Sequence, residues 1–172
     1  MRLGMGLQVL LAAAALCASS GRAWAQTKVA IINLQKAVLE SAEIQKASAE
    51  LTAKYKPRAD QIDQLQKDLA NISQQLQSGK ITAQAESDLN AQGQRKQRDL
   101  QRLQEDLQAD VDRERNDILS KSTQKMSEVV KKIAEEKGLD MVVDVSTTVY
   151  FKPAMEITSD AIAAYNKAYP AK

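Results

Sequence analysis

The sequence has no histidine, and its single cysteine, Cys17, falls among the first 25 of 172 residues. Lack of histidine removes the commonest general base, the commonest metal ligand and every Ser-His or Cys-His nucleophile pair. Enzyme chemistry is therefore not expected, and neither is a metal or a cofactor. Aromatic residues are only 3% of the chain, and alanine and glutamine fill much of its middle, so one large globular core is not expected either. The six glycines are scattered and form no phosphate-cradling loop, and no Pro-, Ser- or Gly-rich linker divides the chain. Beyond the first residues no apolar run approaches the length of a membrane span, which argues against stable membrane insertion. Asp110-Val111-Asp112-Arg113-Glu114 opens like a calcium loop. It lacks the central glycine and lies inside a helical pattern, so it reads as a solvated helix face.

What is present begins with an export signal. Arg2 precedes an apolar run from Leu7 to Ala18 and then Ala23-Trp24-Ala25, which reads as a signal peptide cleaved after Ala25, placing the mature chain in the periplasm. Lipidation at Cys17 is a rival reading, but the bulky Leu16 before it disfavours that. Cleavage removes the only thiol, so no disulfide can form. It also removes Arg2 and Arg22 and no acid, leaving 24 − 2 = 22 basic residues against 22 acidic ones. A neutral chain lacks the basic excess that nucleic-acid binding requires. The clusters Arg95-Lys96-Arg98-Arg102 and Arg113-Arg115 are interleaved with Asp99, Asp112 and Glu114, which suits pairing along a wet helix.

Residues 28–32, Lys-Val-Ala-Ile-Ile, predict a short strand, with Asn33 as its stop and a helix starting near Gln35. Heptad spacing follows to Gln77, with Tyr55, Ile62, Leu69 and Leu76 in one register and Ile44, Leu51, Leu65 and Ile72 in the other. Pro57 should kink this helix near Lys54. Ser78-Gly79-Lys80 breaks the pattern and Thr82 offers a new N-cap, so the chain turns back. Leu89, Leu100, Leu103 and Leu107 resume the stripe, which continues through Val111, Ile118, Met126, Val129 and Ile133 to a C-cap at Gly138. Residues 139–145 and 149–151 then read as a β-hairpin around Ser146-Thr147-Thr148. A last helix follows, capped by Thr158, stapled by Ile157 and Ile162 and ended by Pro170.

The expected fold is α+β and mostly α. Residues 26–37 and 138–172 form a β-rich oligomerisation body, and residues 38–137 form an antiparallel helical-hairpin arm with its turn near 78–82. Each arm helix would have roughly 40 residues and be about 60 Å long at 1.5 Å per residue. Three short strands bury little apolar area and leave open edges, so the body should assemble with copies of itself through Val29, Ile31, Val142 and Val143. Ile62, Leu65, Leu69, Ile72, Leu76, Leu100, Leu103 and Leu107 form the arm stripe. Each of them can simply hold two helices together, but arms this long imply reaching, enclosing or bridging something, so the stripe is also the candidate binding surface.

The order Val29-Ala30-Ile31-Ile32-Asn33, a long Gln/Lys-rich hairpin, Leu139-Asp140-Met141-Val142-Val143-Asp144 and Glu156-Ile157-Thr158-Ser159-Asp160 resembles the Skp/OmpH family of periplasmic chaperones over residues 27–168. The resemblance implies a homotrimer whose strands form a central β-barrel, with arms around a cavity that holds unfolded outer-membrane proteins without nucleotide. It also implies basic arms that contact lipopolysaccharide, which this neutral chain does not match, so that activity is not carried over. A different class of function, a coiled-coil adaptor bridging envelope components, fits the hairpin without the resemblance.

Overall fold

The protein is described by a computed structural model covering residues 27–171. The expected leader and its cleavage point lie outside these residues. Strand β1, Val29–Ile32, opens the chain, and Asn33 caps the short helix α1, Leu34–Leu39, by accepting the Lys36 N–H at 2.8 Å. Ser41 caps a new helix, α2, spanning Ala42–Gln77 with Pro57 inside it. The periodicity predicts one helix from near Gln35. A break at Glu40–Ser41 divides it, because the buried Ser41 hydroxyl donates to the Val38 carbonyl and accepts the Ile44 N–H.

The hairpin turn lies between Gln77 and Ala83. Gly79 has φ +65° after the C-cap Ser78, and Thr82 accepts the Ala85 N–H to start helix α3, Ala83–Lys137, with Glu86 in its first turn. Helix α3 ends at Gly138, whose φ of +60° lets Leu139 donate to the Ala134 carbonyl at 2.8 Å. The two arm helices are unequal, with 36 and 55 residues, because the last third of α3 runs down into the body.

Strand β2, Met141–Asp144, pairs with β1 in parallel, Val29 opposite Met141 through Ile32 opposite Asp144. The whole helical hairpin is thus a crossover connection between parallel strands. Asp140 accepts the Lys28 N–H at 2.7 Å and Asp144 accepts the Leu34 N–H at 3.0 Å, tying down both ends of β1. The other edge of β1 is covered by residues 156–157, with Ile157 N–H donating to the Ile31 carbonyl at 2.9 Å. Helix α4, Thr158–Ala168, closes the body.

Two expectations are corrected here. The β-hairpin of residues 139–151 does not form: residues 145–147 make a single 3-10 turn and 149–151 are not a strand. The cause is local. Asp144 accepts both the backbone N–H and the hydroxyl of Ser146, while Thr147 and Thr148 hydroxyls donate to the Asp144 carbonyl, so side chains take the bonds that a hairpin ladder needs. The cap of α4 is Ile157, one residue early and without a side-chain bond. Thr158 Oγ1 accepts the Asn33 N–H at 3.0 Å and donates to Glu156, so it links α4 to the end of β1 instead of capping its own helix.

The core draws on β1 and all four helices: Ala30 and Ile32 of β1, Ala37 and Val38 of α1, Ile44 of α2, Met126, Val129 and Ile133 of α3, and Ala161 and Tyr165 of α4, with Val142 of β2 packed against it. Body and arm root therefore share one core.

Candidate functional site

The eight stripe residues all turn toward the junction of α2 and α3. Ile72 and Leu100 are buried, and Ile62, Leu65, Leu69, Leu76, Leu103 and Leu107 are half-buried. The apolar seam consequently holds the hairpin together, which is the simpler of the two roles open to it. Near the tip the seam is incomplete. Around Gly93 a groove of about 580 Å³ lies open, lined by Leu69, Ile72, Leu76 and Leu89 and by the polar Asn90, Gln94 and Gln97.

Midway along the arm the seam becomes polar. Lys54 Nζ reaches Glu114 at 2.6 Å, the Tyr55 hydroxyl donates to the same carboxylate at 2.9 Å, and Arg58 pairs with Asp110 at 2.6 Å. These contacts flank Pro57, where α2 lacks a backbone donor. Lys54 and Arg58 also stand over the Tyr55 ring, at 5.3 and 5.6 Å. Hydrogen bonding to Lys54 and then to Tyr55 holds the Glu114 carboxyl below its ordinary range, and the bond from Arg58 does the same for Asp110. Closer to the tip, Lys96 pairs with Asp68 at 2.6 Å. One member of the Arg95–Arg102 cluster is thus neutralised across the hairpin, and Arg102 lies 3.9 Å from Asp99.

At the arm root, Glu43 accepts from Lys125 Nζ and from the buried Tyr165 hydroxyl, each at 2.5 Å. Asn166 accepts the Ala42 N–H at 2.9 Å, so α4 helps to cap α2. Burial, followed by the bond to Glu43, pushes the Tyr165 phenol up to about 12. Heptad counting did not reveal this cluster. Its only local signal is the Ser41-Ala42-Glu43 helix start, and its partners lie more than 80 residues away.

The predicted body residues separate into two groups. Ile31 is only 3% exposed within a single protomer, whereas Val29, Val142 and Val143 are half-buried. The exposed apolar surface lies elsewhere, with Met141 56% and Tyr150 80% exposed and Val149 fully so, and the outer edge of β2 has no strand partner among the described residues. Clusters of three or more metal-type ligands are absent among the described residues, and no helix there is long and apolar enough to cross a membrane.

Comparison with known proteins matches residues 28–165 to the family model of outer membrane protein (OmpH-like). Chaperone protein Skp of Pectobacterium atrosepticum is 28% identical over 151 residues, covering 84% of this chain and 89% of that protein. A Skp-like protein of Pseudomonas aeruginosa is 27% identical over 161 residues, covering 92% and 95%. Among solved structures, an OmpH-like protein from Caulobacter crescentus superposes with a TM-score of 0.70 over 86% of this chain and 89% of its own. At 21% identity this supports the fold alone.

Proposed function

Because the chain belongs to the OmpH-like outer membrane protein family, we propose that it is an ATP-independent periplasmic holdase that keeps unfolded outer-membrane proteins from aggregating on their way to the outer membrane. The observation that carries this reading is the arm. Helices α2 and α3 close their apolar residues on each other and extend from a small body, a form suited to surrounding a client rather than transforming it. Residues 1–25 would direct export and be removed by cleavage after Ala25.

In this reading three copies assemble through their bodies into a β-barrel. The open edge of β2 and the exposed Met141, Val149 and Tyr150 support the proposal, since an unpaired edge beside apolar side chains is a template for another chain. Residues 149–151, which carry strand-type side chains but find no ladder within the protomer, would pair between copies. The arms then enclose a cavity in which a client is held by many weak contacts, none selecting a sequence. Neither a nucleotide nor a cofactor takes part. Lipopolysaccharide binding is not included, because Arg113 lies 3.9 Å from Asp110 and the mature chain is neutral.

The test is dilution of several unrelated urea-unfolded barrel proteins into buffer with the mature chain at near-stoichiometric ratio, followed by light scattering. Suppression of aggregation for all of them is expected. Suppression of none, together with binding of a single folded envelope partner, would favour a bridging adaptor.

A further inference from the structure

Gly93 weakens the arm in a way that folding does not require. It lies inside α3, where glycine is less favourable than alanine because it loses more backbone freedom on folding. Its φ is not positive, so no left-handed turn demands it. Packing does not demand it either, since a Cβ there would meet Ile72 Cγ2 at 3.5 Å, an ordinary contact. Gly93 is instead one of the residues lining the groove of about 580 Å³ near the arm tip.

The lining of that groove has a definite chemistry. Leu69, Leu76 and Leu89 give it an apolar floor, and Asn90, Gln94 and Gln97 give it an amide rim. Arg98 is the one charged residue lining it, in a chain of which 27% is charged. We propose that this groove seats the apolar side chains of an extended, uncharged strand from an unfolded outer-membrane barrel protein, a proposal that rests on the holdase reading. Barrel strands alternate apolar with polar residues, so one face of an extended strand can direct apolar side chains onto the leucine floor while the other stays wet. Amide side chains offer both donors and acceptors, which suits the unpaired N–H and C=O groups of such a strand. The charge pattern agrees: a strongly charged segment would find a single cation and no carboxylate to answer it.

The experiment measures binding of a fluorescently labelled, urea-unfolded outer-membrane barrel protein to the full mature chain by anisotropy, with sedimentation and circular dichroism alongside. Gly93→Ala should melt higher and bind within about twofold of wild type, whereas Gly93→Met, whose side chain fills the groove, and Leu89→Gln, which removes its floor, should each bind about tenfold more weakly with helicity and oligomer unchanged. If Gly93→Met loses helicity, Leu89→Gln decides. Unchanged binding by the groove variants overturns the proposal while leaving the holdase reading in place, and no binding by wild type overturns both. Equal loss in Gly93→Ala would assign the effect to arm stiffness and overturn the groove. A changed sedimentation of Gly93→Met with unchanged client binding would mean that the groove seats a second copy, and would overturn it as well.

Discussion

Replacing Val149 and Tyr150 together by serine should dissociate the proposed oligomer without unfolding the protomer. In the isolated chain Val149 is fully exposed and Tyr150 is 80% exposed, so neither contributes to the protomer's own core. If assembly covers both, burial of each large side chain contributes roughly 1.5–3 kcal/mol, or on the order of 3–6 kcal/mol per protomer for the pair. At 1.4 kcal/mol per tenfold, the loss weakens association by at least two decades for each protomer. Sedimentation velocity over a concentration series, with circular dichroism of the same samples, reads both halves of the claim. The contrasting variant is Ile31→Asp. Ile31 is 3% exposed and its carbonyl accepts the Ile157 N–H, so a carboxylate there should melt the protomer along with the assembly. A double-serine variant that sediments as wild type would refute the reasoning, and would move the interface to the arms or to another face of the body.

Three other outcomes are expected. Intact mass of the exported protein should correspond to cleavage after Ala25, and a species that retains Trp24 or carries lipid on Cys17 would contradict this. Stability should fall as pH rises from about 10 to about 12: the Tyr165 phenol is raised in the folded state, so its contribution is full below the unfolded value and is lost through the folded one. Tyr165→Phe should flatten that limb in thermal melts taken across the interval, and an unchanged limb would assign it to other groups. Client affinity should fall less than tenfold between about 50 and 500 mM salt, because Lys54, Arg58, Lys96 and Lys125 already meet carboxylates of the chain itself; a steeper fall measured by anisotropy would show that Arg95 and Arg98 capture clients by charge.

The arm was legible because its signals are local and periodic. Leucine and isoleucine at heptad spacing, a glycine able to adopt positive φ at 79 and a threonine cap at 82 each act within a few residues. The body was harder to read. Residues 139–151 have the composition of two strands, yet the Asp144-Val145-Ser146-Thr147-Thr148 run closes on its own backbone through side-chain bonds, a competition that composition alone does not reveal. The partner of β1 was hidden for another reason: Ile31 pairs with Val143 across more than 100 residues and in parallel, a pairing set by tertiary packing. Likewise, Thr158 has the right type and place for a helix cap, but the Asn33 N–H, 125 residues away, takes its hydroxyl. Gly93 shows a further limit, since nothing in the spacing distinguishes a glycine that lines a groove from one that merely interrupts a stripe.

The forces holding the arm change in kind along its length, and this bears on how it could hold a client. At the root the contacts are buried and shared with the body, through Ile44, Met126 and the Glu43–Tyr165 bond, so the direction of the arm is set by the same core that folds the protomer. At the middle, exposed ion pairs flank a proline, and such pairs contribute little and are screened by salt. Toward the tip the seam is apolar but leaves the Gly93 groove open. Resistance to local opening should therefore decline outward from the body. On the proposed holdase reading, an arm fixed at its root and compliant beyond Pro57 would close on clients of different size without disturbing the proposed interface between copies, which separates the two demands that a cage for unfolded chains must meet.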